Sequence, residues 1–205
     1  MIKSKYLLAP VIFILSGLSI NAQNPKESLS SKLYFPFDIG YLNSPRNNLK
    51  PGIIVKTALE YRLHSTQGLY FRLNYDNRSN SYENQEVQGT NIIKGKIKFN
   101  DYLGGVGYRI SGNSKFRQFA LLQTGMSTCQ YQNIEISDIN FIVKDKKKNI
   151  PVLKLTAGAE YYIGKSAALT FETGYIWHLE DTPFGQNHIN EGAISFSIGL
   201  TTTLF

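Results

Sequence analysis

The 205-residue chain is predicted to be all-β, an eight-stranded antiparallel up-and-down transmembrane barrel. Three observations predict it. Strand-like stretches pair through alternately long polar and short turn-like connections. Many of these stretches carry apolar side chains at every second residue. The front end has the make-up of an export signal. A period of two excludes amphipathic helices, and alternating long and short connections are the pattern of a membrane barrel.

Residues 1–22 read as a signal peptide. Lys3 and Lys5 precede an apolar run from Leu7 to Ile20, and Ile20-Asn21-Ala22 offers a small residue before the cut at Gln23. The run is short for a membrane anchor and has no basic flank on its far side. The barrel domain is then 23–205. Removing Lys3 and Lys5 lowers the formal net charge from +7 to about +5. That balance carries no nucleic-acid-reading pattern. A mean hydropathy of −0.22 suits strands with one polar and one apolar face. Cys129, the only cysteine, cannot form an internal disulfide and reads as a small side chain within a strand.

The strands follow in order. The first, 33–42, sets Leu33, Phe35, Phe37, Ile39 and Tyr41 against Asp38 and Gly40; Pro36 on the polar side predicts a bulge or a strand end. In 53–63, Ile53, Val55, Thr57, Leu59, Tyr61 and Leu63 oppose Lys56, Glu60 and Arg62. After a turn at 65–68, Leu69, Phe71, Leu73 and Tyr75 oppose Tyr70, Arg72, Asn74, Asp76 and Arg78. The fourth ends Tyr102, Gly104, Val106, Tyr108, Ile110. The fifth places Ala120, Leu122, Thr124 and Met126 outward, with Phe119 and Leu121 leaving its register open. In 153–163, Leu153, Leu155, Ala157, Ala159 and Tyr161 oppose Lys154, Thr156 and Glu160. The seventh, 169–180, opposes Leu169, Phe171, Tyr175 and Trp177 to Glu172, His178 and Glu180. The eighth sets Ile194, Phe196, Ile198, Leu200 and Leu204 against Ser195, Ser197, Gly199, Thr201 and Thr203.

Short turns near 65–68, 111–115 and 164–167 place that end in the periplasm. Loops near 43–51, 79–95, 132–150 and 181–191 are then extracellular, and both termini periplasmic. A soluble eight-stranded barrel would turn the apolar face inward instead. The export signal and the aromatic-rich apolar face favour lipid outside.

On these features, with the final Thr-Leu-Phe, the chain resembles the small outer-membrane β-barrel domain proteins of OmpX, OmpA and PorT type. The resemblance covers essentially the whole mature chain and is one of pattern. It implies insertion by the barrel-assembly machinery, with Phe205 as the assembly signal. Phe205 is out of phase with Ile194–Leu204, which a bulge near Thr201–Thr203 would repair.

Eight strands enclose room only for side chains. Lys56, Glu60, Arg62, Arg72, Asp76, Lys154, Glu160, Glu172 and Glu180 are therefore expected as a lumen charge network that plugs the bore, since buried charges must be paired. A narrow water or ion path is the competing reading. Catalytic residues, cofactors and metal ligands are not expected: three His and one Cys lack ligand spacing. Some barrels of the resembling class are lipid A deacylases with a His-x-Ser-Asn signature. The nearest stretch, His188-Ile189-Asn190-Glu191, puts Asn where the nucleophilic Ser would stand. A monomer with a structural or surface role follows. An accessory barrel of a secretion or envelope complex is the alternative, and a lipid A-modifying enzyme the more distant one. Lys144, Lys146, Lys147 and Lys148 are candidate surface-loop contacts to lipopolysaccharide phosphates or an acidic envelope partner. Lys94, Lys96 and Lys98 lie on the approach to the fourth strand. Alternation at Ile134/Ile136 and Ile139/Phe141/Val143 suggests a hairpin protruding beyond the membrane.

Overall fold

A computed structural model describes residues 33–44, 49–63, 68–87, 90–110, 115–137, 140–164, 166–180 and 192–203. The predicted signal peptide, His64, His188–Glu191, Leu204 and Phe205 lie outside them. The strands are β1 (Leu33–Asn43), β2 (Gly52–Arg62), β3 (Leu69–Val87), β4 (Thr90–Arg109), β5 (Phe116–Ser137), β6 (Asn140–Tyr162), β7 (Ala167–His178) and β8 (Ala193–Thr203). Each pairs antiparallel with its sequence neighbours, and β8 closes on β1. Closure leaves no sheet edge for lipid to meet.

The stagger fixes the bore. Leu33 pairs with Tyr61, and the row continues through Phe71, Val106, Leu122, Leu155, Tyr175 and Ile194 to return at Asn43. One circuit therefore climbs ten residues along β1. For eight strands this means a tilt of about 40° and a backbone radius of about 8 Å, which side chains fill.

Two expectations are corrected along β1 and β8. The β1–β2 ladder skips Phe35 and Pro36, yet Tyr34↔Glu60 and Phe37↔Thr57 keep one register, so Pro36 makes neither a bulge nor an end. Proline only withholds its donor there. The β8 register runs unbroken from Ile194 to Thr203, so no bulge re-phases the described part of this strand.

A larger correction concerns the loops expected at 79–95 and 132–150. Both are strand. β3 and β4 stay paired to Val87↔Thr90, and β5 and β6 to Ser137↔Asn140. The barrel wall stops earlier, at Ile53↔Ser79, Lys98↔Gln130 and Val152↔His178. The two hairpins thus run on for about 25 Å past these last ladder pairs, with Lys50 N still donating to Ser81 O and Leu179 N to Pro151 O at their base. Over 79–95 the strands lack the alternation that marks a spanning strand, and polar composition alone reads as loop, whereas the alternation at Ile134/Ile136 and Ile139/Phe141/Val143 agrees with the paired β5–β6 hairpin.

Outward, the wall is apolar and ringed by aromatics. Tyr61, Tyr108, Phe116 and Tyr161 lie towards the short turns; Tyr41, Tyr75 and Tyr102 lie towards the hairpins, and all are exposed. These are the two girdles of a membrane barrel. At the β2–β3 turn Gly68 has φ +67, a backbone that favours glycine. Its carbonyl accepts from the Arg109 amide at 2.7 Å.

Candidate functional site

The inward residues of the wall form the most distinctive site. Among the described residues, Asp38, Glu60, Asp76, Asp101, Glu160 and Glu172 are buried, and so are Lys56, Arg62, Arg72, Arg78, Arg109 and Lys154. Six carboxylates face six cations, so these side chains sum to zero.

At the short-turn end Glu60 is the hub. Its Oε1 accepts from Arg62 Nε at 2.7 Å and Arg109 Nη2 at 2.8 Å; its Oε2 accepts from Arg72 Nε at 2.9 Å and Nη2 at 2.7 Å. Arg109 also donates to Glu160 Oε1 at 2.7 Å, and the Tyr162 hydroxyl donates to Glu160 Oε2 at 2.9 Å. Arg72 carries the chain inward, donating to Glu172 Oε1 at 2.6 Å, while Lys56 donates to Glu172 Oε2. The guanidinium groups are also stacked. Arg62 lies 3.3 Å from the Tyr34 ring centroid, and Arg72 and Arg109 both face Tyr70 and Phe119. Those two rings are seated on glycines. A Cβ at Gly107 would strike Tyr70 and one at Gly158 would strike Phe119, the partners they face across the ladder.

Further along, Lys154 donates to Asp76, and Asn74 links Gln123 to Asp76. Nearer the hairpins Arg78 grips Asp101 with both ends of its fork, at 2.6 and 2.9 Å, and its Nη2 lies 3.1 Å from His178 Nε2 across the bore. Phe99 stacks with His178, ring centroids 5.2 Å apart, and with the Arg78 guanidinium at 4.5 Å. Above this level the filling turns apolar: Leu49, Ile97, Phe99, Cys129, Tyr131 and Ile150 form one buried cluster. A second, Leu42, Leu103, Val152, Ile176 and Ala193, lies just below.

The polarity of the wall therefore inverts at the hairpin end. In the spanning part ionic side chains point in and apolar ones out. On β4, Ile97 and Phe99 point in while Lys96 and Lys98 are exposed; on β6, Ile150 points in while Lys147 and Asn149 are exposed.

Eight of the nine residues expected in the lumen network come together there. Glu180 does not. It lies beyond the end of β7, two residues past His178, and is exposed. Sequence reasoning passed over Asp101 and Arg109 as network members. Their signal was in plain view, because they alternate with Tyr102 and Tyr108. The lysine run is also corrected. Lys144–Lys148 is strand, not loop, so consecutive lysines point to opposite faces. Lys144, Lys146 and Lys148 share the face of Ile150 and are engaged in interactions of their own. Lys147 alone points outward with Lys96 and Lys98. Among the described residues no cluster of His, Cys, Asp or Glu could hold a metal ion.

Neither a known protein family nor any curated protein matches the sequence. Solved structures do match in shape. Neisserial surface protein A is 14% identical, with 85% of this chain and 98% of that chain covered and a TM-score of 0.60. The outer membrane protein OprG from Pseudomonas aeruginosa is 11% identical, with 84% and 95% covered and a TM-score of 0.53. At such identities the likeness concerns the fold: this chain has the fold of the small outer-membrane β-barrels.

Proposed function

We propose that the protein is a monomeric, non-catalytic barrel of the outer membrane. Its bore is sealed, its two tall hairpins stand at the cell surface, and its termini lie in the periplasm. One observation carries the reading. The bore is crossed by paired charges from Glu160 to Asp101 and stoppered by apolar side chains at the hairpin end. Ions entering such a bore would have to break charge-assisted hydrogen bonds in a desolvated interior, at a cost of several kcal/mol each. The role is then to bind the envelope mechanically and to display the hairpins. Purified protein in planar bilayers should give no steady stepwise conductance. Porin-like steps would refute the sealed bore.

A second reading, an accessory barrel in a secretion or envelope complex, draws on the length of the hairpins. β3–β4 and β5–β6 stay paired well beyond the last wall pairs Ile53↔Ser79 and Lys98↔Gln130, and raised hairpins of that kind offer a surface to a second protein. A stoichiometric partner co-purifying from native membranes would favour this role.

A further inference from the structure

We propose that the outer wall over β4, β5 and β6 is a binding site for the phosphates of a phosphorylated glycolipid in the outer leaflet. This deepens the surface role above and rests on the hairpins facing outward. Lys98, Gln130 and Lys147 stand side by side in one cross-strand row, so the two lysines flank the glutamine at about 5 Å per strand. All three lie on the outward face, with both lysines exposed.

The row beneath prepares the same ligand. Asn77, Asn100, Thr128 and Asn149 pair across four strands. Asn100 Oδ1 is already occupied, accepting from Tyr75 Oη at 3.0 Å and Asn77 Nδ2 at 2.7 Å. Asn149 Oδ1 accepts from Thr128 Oγ1 at 2.9 Å. With both oxygens consumed, the two amides present N–H donors, which suit an anion. Lys96 lies one row higher, as does exposed Asp145, which offsets one of the three positive charges.

Height selects a lipid phosphate. Lys98 precedes the girdle residue Tyr102 by four residues, about 10 Å along the tilted barrel. That is headgroup level for a bilayer whose hydrocarbon ends near the aromatic girdle. The inversion of wall polarity, with Ile97 and Phe99 turned in and Lys96 and Lys98 turned out, marks the same boundary independently. Among the described residues of the rest of the rim, Asn43, Ile53, Trp177, Leu179 and Ile194 carry no charge while Lys50 and Glu180 are exposed, so the cluster of three lysines belongs to β4 and β6.

The test uses the whole barrel in phosphatidylcholine nanodiscs doped with lipid A or with dephosphorylated lipid A, retained lipid being counted by native mass spectrometry. The wild type should hold lipid A in preference to its dephosphorylated form. Lys96→Gln/Lys98→Gln/Lys147→Gln should weaken retention about fivefold per lysine, on the order of a hundredfold together. Lys144→Gln/Lys146→Gln/Lys148→Gln, on the opposite face, should leave it unchanged. Equal loss in both triple variants, or in neither, would overturn the site. Displacement by inorganic phosphate alone would make it a free-phosphate site and also overturn the proposal. Lys147→Cys should be labelled by an impermeant maleimide on intact cells. A lack of labelling would refute the outer-leaflet occupant through orientation, leaving the sealed bore untouched.

Discussion

At the short-turn end of the bore one carboxylate, Glu60, holds three guanidinium groups, whereas at the hairpin end Ile97, Phe99, Cys129, Tyr131 and Ile150 form an apolar cluster, with Lys148 opposite Cys129 in the ladder. The backbone geometry is continuous between the two, since the ladders keep one register throughout. What changes is the solvent outside. Where lipid surrounds the wall, apolar side chains are taken up outward and the bore receives the polar ones. Where the wall emerges among headgroups and water, the outside becomes polar and the inside reverts to an ordinary hydrophobic core. A strand such as β4 performs this exchange within a few residues, from Lys96-Ile97-Lys98-Phe99 to Asp101-Tyr102.

The two halves should respond to mutation by different mechanisms. The largest effect is expected from Glu60→Gln, which removes the one carboxylate common to Arg62, Arg72 and Arg109 and leaves only Glu160 for Arg62 and Arg109 and Glu172 for Arg72 among the described residues. Breaking a buried ionic hub in this way should cost about 3–5 kcal/mol. Urea unfolding in detergent micelles, followed by the loss of the folded band on unheated gels, would measure it. A change within error would mean the guanidinium groups are hydrated and the ionic half is not truly sealed. Ile150→Ala probes the other half. It deletes buried methylenes and leaves a cavity, so a loss of about 2–4 kcal/mol is expected. Polar Ile150→Thr, nearly equal in volume to valine, should be worse than Ile150→Val. Equal tolerance of the two would show the cap to be wet.

These halves were unequally legible in the sequence. The period of two assigned faces correctly wherever lipid enforces it, so Lys56, Glu60, Arg62, Arg72, Asp76, Lys154, Glu160 and Glu172 could be placed in the bore from their neighbours alone. It also held in β5, where Phe119 and Leu121 lie inward beside Gln123 because rings and arginines stack there. Beyond the boundary the same rule gives the opposite polarity. Ile97 and Phe99 carry the mark of lipid-facing residues and are in fact interior. Glu180 failed for a related reason. Its parity matches Glu172 and His178, but the wall ends before it, and parity says nothing about where a strand stops. The β3–β4 hairpin was hidden as a loop because water on both faces asks for no alternation, whereas the alternation at Ile134/Ile136 and Ile139/Phe141/Val143 marked the β5–β6 hairpin.

The smallest expected effect tests whether every charge in the bore belongs to the seal. Asp38 is buried against Gly199, opposite Lys56 in the ladder, yet among the described residues no ion pair reaches it and its Oδ1 has no hydrogen-bond partner. Lys56 itself is committed to Glu172. An unsatisfied buried oxygen costs free energy, and more when it carries charge. Asp38→Asn removes that charge and supplies N–H donors to a wall where Ser197 Oγ also lacks a partner. The variant should therefore be more stable by about 1 kcal/mol in the same urea assay. A loss of that size or greater would show that Asp38 is held by its cationic neighbours as firmly as Glu60 is, and that the ionic half of the bore extends, undiminished, to the β1–β8 wall.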